Sequence, residues 1–256
     1  MNNLPARTGW DWLKQGGALF RKQPLALTTL LFANILFSIG MSALPYLGPV
    51  LAIILIPSFS MAFMKACLMI ENGDRVTPEV LLTGFRQPAL VALCKVGLVY
   101  LAVSLVLMFI MRIAIPTDVL QQMATASAEG KTPPDISPTH MLRILGSFLL
   151  NTIVLVTLCF VAPLTYWKQM GPGKATFYSF FAVMRAAGPF IVMLASWFAL
   201  FFGVCIVAAL LFGDAALGRV VIMWLIFLFV LLLQCAMYAG YRTIFGKPLD
   251  KGPVAA

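Results

Sequence analysis

Residues 189–211 read PFIVMLASWFALFFGVCIVAALL, with no Asp, Glu, Lys, Arg or His among them. As a helix, this stretch spans roughly 35 Å, enough to cross the ~30 Å hydrocarbon core of a bilayer. A soluble fold would instead show alternating or amphipathic patterns. Five more stretches, 24–44, 47–70, 88–113, 141–167 and 219–245, have the same character. The 256 residues are 61% hydrophobic and 11% charged, with a mean hydropathy of +0.96, outside the range of a soluble domain. The expectation is one all-α integral membrane domain over residues 1–256, with six transmembrane helices. Twenty-three mostly polar residues precede the first apolar run, which is too long for a signal peptide and is read as a retained helix.

Charge sets the orientation. One side of this topology holds 14 of the 18 Lys and Arg and five of the nine Asp and Glu, a balance of +9, while the other holds four of each. Basic residues are retained on the cytoplasmic side. Both termini are therefore expected in the cytoplasm of a bacterium, with the chain in its inner membrane. The basic residues are spread over four segments beside spans, which weighs against nucleic acid as the partner and favours anionic lipid headgroups.

Three of the odd-numbered spans open alike. Phe20-Arg21-Lys22-Gln23-Pro24, Phe85-Arg86-Gln87-Pro88 and, more loosely, Met184-Arg185-Ala186-Ala187-Gly188-Pro189 each place an apolar residue, an Arg and a spacer before a Pro. Upstream of each lies a candidate amphipathic interfacial helix. The first would be capped by Thr8 with Asp11 three residues on, and would set Trp10, Leu13, Gly17 and Phe20 on one face. The second would start at Thr77-Pro78-Glu79, with Leu81, Leu82 and Phe85 together. The third would line up Phe177, Phe180, Phe181 and Met184. Proline ends the in-plane helix and starts the spanning one. The spans are thus expected as three hairpin repeats, 8–70, 77–167 and 173–245, each preceded by a short interfacial helix on the cytoplasmic side. Arg21, Arg86 and Arg185 would snorkel to lipid headgroups. Residues 114–140 form a periplasmic loop with a short helix over 117–128, and 246–256 a flexible cytoplasmic tail.

No catalytic constellation stands out. The chain has no phosphate-binding, dinucleotide-binding or zinc-protease motif, and titratable acids avoid the spans. His140 sits at the edge of a Pro-rich loop. Only a meeting of Glu71, Asp74 and Glu79 with the 168–188 segment could build a surface site. The five cysteines are scattered one per apolar stretch and read as small core residues. No enzyme, metal or cofactor is expected. Lys95 is the candidate intramembrane functional residue: it falls seven residues after Pro88, and either faces a cavity or reaches back to the interface. Pro57 and Pro163 should kink the second and fourth spans.

The Trp10-Asp11-Trp12 start, the run Leu19-Phe20-Arg21-Lys22-Gln23-Pro24 and the later Gly84-Phe85-Arg86 resemble a proteobacterial family of uncharacterised six-helix inner-membrane proteins. More distantly the chain is similar to YciC-like proteins and to the membrane domain joined to some glycerophosphodiester phosphodiesterases. The resemblance implies six spans and an inner-membrane location, and transfers no activity. Two functions compete. One is a non-catalytic protein that binds lipid or serves as an accessory or scaffold subunit beside a membrane-protein partner or a second copy. The alternative is a small-molecule or ion transporter or channel.

Overall fold

The computed structural model describes residues 4–45, 47–87, 89–115, 125, 137–212 and 216–249. They form α1 (Thr8–Lys22), α2 (Pro24–Ser42), α3 (Leu47–Asn72), a 3₁₀ helix (Pro78–Gly84), α4 (Ala89–Ala114), α5 (Pro138–Leu158), α6 (Val161–Trp167), α7 (Pro172–Arg185), α8 (Ala187–Phe212) and α9 (Ala216–Phe245). No strand occurs among the described residues. Six helical segments are long and apolar enough to cross a membrane, with α5 and α6 together making the fourth. Prolines begin α2, α5 and α7, where the missing N–H costs nothing. Apart from Thr125, the helix expected over 117–128 lies outside the described residues, as does the tail from residue 250. His140 belongs to the first turn of α5 rather than to a loop.

The central span is α3, which packs against α2, α4, α6, α9 and the 3₁₀ helix. Burial is strongly one-sided along the spans. Leu27, Leu30 and Leu31 of α2, residues 61–64 and 66–68 of α3, Leu93 and Val96 of α4, residues 160–166, Phe190 and Met193 of α8, and residues 235–241 of α9 apart from Met237 are buried. All lie toward the side that carries α1, the 3₁₀ helix and α7, here termed proximal. The distal halves are largely exposed, reaching 81% at Leu210. An aromatic cluster knits the proximal layer, where Phe160 meets Phe190, Tyr241 and Phe245.

The fourth span is broken, as Pro163 suggested. Proline supplies no N–H to the carbonyl four residues earlier, and the helix stops at Leu158 and restarts at Val161. Two hydroxyls from other helices bond the carbonyls at the end of the first segment, just before the break. Ser179 Oγ of α7 donates to Thr157 O at 2.6 Å, and Tyr100 Oη of α4 donates to Leu158 O at 2.7 Å. Ser179 Oγ also accepts the Phe160 N–H at 3.3 Å. By contrast, α3 runs through Pro57 as one helix. There Gly97 lets α4 approach so closely that an added Cβ would stand 2.1 Å from Ile54 O.

The three helices that precede the hairpins occupy the expected places but are not equivalent. In α1 the buried stripe is Gly9, Trp12, Leu13, Gly16 and Leu19, while Trp10 is exposed. This corrects the expected face of Trp10, Leu13, Gly17 and Phe20. The cause is close packing: a Cβ on Gly9 would fall 2.0 Å from Pro189 O, and one on Gly16 would fall 2.6 Å from Ala236 N. Helix α1 therefore lies across α8 and α9, with Trp12 edge-on to Phe190. Thr8 opens the helix without capping it. The second helix is a 3₁₀ segment with no cap from Thr77; it buries Val80, Thr83 and Gly84 and leaves Leu82 exposed. Only α7 keeps the expected face, with Phe177, Phe180, Phe181 and Met184 all outward and Ala175, Ser179, Ala182 and Val183 inward.

Candidate functional site

The charged groups that come together are ones the sequence did not pair. Glu71, one residue before the end of α3, accepts a hydrogen bond from Tyr238 Oη at 2.5 Å and is ion-paired with Arg242. The second guanidinium nitrogen of Arg242 donates to Gln15 Oε1 of α1 at 2.8 Å. One turn away, Trp12 Nε1 donates to Thr243 Oγ1 at 3.1 Å. These bonds tie α1, α3 and α9, and those to Glu71 and Arg242 are charge-assisted, roughly twice as strong as neutral ones. Their atoms are mutually satisfied, so the cluster acts as a lock. Its sequence signal was an acid at the end of one span and a base at the end of another; pairing them needed the knowledge that α3 and α9 are neighbours.

Gln23 has a comparable role at the Arg-Lys-Gln-Pro break. Its Nε2 donates to Asp74 O at 2.7 Å, and its Oε1 accepts the Val76 N–H at 3.0 Å. The start of α2 is thereby clamped to the segment that follows α3. Asp74 thus contributes its backbone here, Glu71 faces α9, and Glu79 approaches Arg86. The acidic surface cluster envisaged for Glu71, Asp74 and Glu79 does not assemble.

Arg21, Arg86 and Arg185 are all exposed and sit at the ends of three different elements: the last turn of α1, the link after the 3₁₀ helix, and the last residue of α7. Arg86 lies 3.8 Å from the Glu79 carboxylate, with 63% and 78% of the two side chains exposed. Such a pair is worth at most about 1 kcal/mol. Lys95 is exposed too, whereas Leu93, Val96 and Gly97 form the buried face of α4. It points away from the bundle interior.

Cys67 and Cys235, read from sequence as scattered, approach across α3 and α9 with their sulfurs 3.7 Å apart, and both are free thiols. Among the described residues no group of three or more His, Cys, Asp or Glu side chains is placed to hold a metal ion.

Two crevices open on the outer surface. The first, about 160 Å³, lies between α2 and the 3₁₀ helix and includes Ala26, Thr29, Leu30, Ala33, Val76 and Leu81. The second, about 250 Å³, lies between α4 and α5 and includes Ser104, Met108, Met111, Ser147 and Asn151.

No family model and no solved structure matches the chain. A protein of Burkholderia thailandensis described as a "probable inner membrane protein" is 33% identical to it over 250 residues, covering 95% of this chain and 93% of that protein. The likeness thus covers nearly the whole chain, and the chain belongs to the family of that inner-membrane protein.

Proposed function

We propose that this is a non-catalytic, multi-pass inner-membrane protein that binds anionic lipid on its proximal, cytoplasmic side and serves as a scaffold within the membrane. The carrying observation is the outward face of α7. Phe177, Phe180, Phe181 and Met184, between 44% and 61% exposed, form an apolar stripe ending at the exposed Arg185. An aromatic stripe beside a cation suits the boundary between headgroups and acyl chains. Arg21 and Arg86 stand exposed at the corresponding breaks, and the +9 charge of the chain falls on the same side when the termini are placed in the cytoplasm. The outward position of Lys95 sets the transporter alternative second, because a permeation path would want that charge facing inward.

Native mass spectrometry of the protein released from mixed anionic and zwitterionic nanodiscs tests the proposal. The wild type should retain anionic lipid in preference, and the triple variant Arg21→Glu, Arg86→Glu, Arg185→Glu should lose that preference while staying folded. Retention of the same lipids by the folded triple variant would overturn it.

A further inference from the structure

Hydrogen-bonding groups that face hydrocarbon without partners are costly, and spanning helices use them to associate. Asn151 is such a group. Its side chain is exposed on α5 and has no hydrogen-bond partner among the described residues, in contrast to Thr152 beside it, which bonds back to Phe148 O at 2.9 Å. Counted from Met141, where the apolar stretch of the fourth span begins, at 1.5 Å per residue, Asn151 stands roughly 15 Å along its helix, near the middle of a ~30 Å hydrocarbon slab. Ser147 one turn away and Ser104 on α4 join it in the 250 Å³ crevice. Helix α5 is also poorly covered: its main neighbours are α4 and α7, and Leu142, Leu145, Phe148 and Leu149 remain exposed on it.

We propose that the α4–α5 crevice is the contact surface of a homodimer, in which Asn151 pairs with its own copy across a two-fold axis along the membrane normal. Three considerations select a second copy as the occupant. An acyl chain offers no donor or acceptor, and headgroup esters lie far from the midplane. A carboxamide carries both an N–H donor and a carbonyl acceptor, so two of them can satisfy each other. Two copies inserted with the same topology and related by such an axis keep every residue at its own depth, so a midplane amide meets a midplane amide. Met108 and Met111, both exposed at the crevice rim, supply flexible apolar surface to pack around that pair. The inference does not depend on headgroup binding, which concerns the proximal side.

Single-molecule photobleaching of the labelled full-length protein in bilayers, over a range of protein-to-lipid ratios, gives the dimer dissociation constant. Asn151→Leu should raise that constant about 5- to 30-fold, with thermal unfolding unchanged because the site faces lipid. Asn151→Gln should retain most of the association. Gln234→Leu, which removes a half-buried amide of α9 outside the crevice, should leave the constant within about two-fold, inside the scatter expected for a residue off the contact surface. Single-step bleaching of the wild type at every density, as when lipid alone fills the crevice, would overturn the proposal. So would an Asn151→Leu variant that dimerises like the wild type.

Discussion

Ser179→Ala probes how the broken fourth span is held. Ser179 is fully buried, and its hydroxyl serves both sides of the break, donating to Thr157 O at 2.6 Å and accepting the Phe160 N–H at 3.3 Å. Alanine orphans both backbone groups. The shorter bond carries most of the effect, since 3.3 Å lies past the usual N–H···O range. Leaving a buried carbonyl unsatisfied costs about 1–3 kcal/mol, so the expected loss is about 2 kcal/mol, close to 30-fold in the folding equilibrium. Tyr100→Phe, which removes the 2.7 Å bond to Leu158 O, should cost about 1–2 kcal/mol on the same grounds. Thr152→Ala is the control: that hydroxyl bonds within an unbroken stretch of α5, and its loss should cost less than about 0.5 kcal/mol. Reversible unfolding in mixed micelles, followed by the fluorescence of the five tryptophans, measures all three. A Ser179→Ala cost no larger than that of Thr152→Ala would refute the account of the break.

Two adjacent glycines of α1 should respond in opposite directions. Gly16→Ala puts a Cβ 2.6 Å from the backbone nitrogen of Ala236, and should destabilise by about 1–2 kcal/mol once the helix-propensity gain is subtracted. Gly17→Ala meets only the Leu232 side chain at 3.7 Å and should stabilise by about 0.5–1 kcal/mol; equal effects in the same unfolding assay would contradict the packing of α1 on α9. Arg242→Met leaves the Glu71 carboxylate without its cation and should cost about 2–3 kcal/mol, below the range for a fully buried pair because 36% of the Arg side chain is exposed. Adding Glu71→Gln should recover more than half of that loss, and additivity of the two would show that the pair is not coupled.

The six spans were legible in the sequence because crossing a bilayer depends on local apolar length, and each helix begins and ends within three residues of the expected bounds. The kink at Pro163 was legible for the same reason: a missing donor is a property of one residue. The partners of the carbonyls just before the break were not. Tyr100 and Ser179 lie 58 and 22 residues from the carbonyls they serve, and nothing local announces the meeting. The same holds for Glu71 with Tyr238 and Arg242, 167 and 171 residues apart.

The amphipathic helices mark the boundary most clearly. From the sequence, α1 and α7 were each expected to carry an apolar face, to precede a pair of spans, and to have an Arg, 21 or 185, in the last turn. Whether such a face meets lipid or protein is a question the pattern cannot answer, because acyl chains and packed side chains are both apolar surroundings and select the same residues. Tertiary structure separated the packed face of α1 from the exposed face of α7 through shape. Glycines at 9 and 16 let α1 sink against backbone atoms of α8 and α9 and bury Trp12, while the bulky Phe177, Phe180 and Phe181 of α7 stay outside a layer already filled by Phe160, Phe190 and Tyr241.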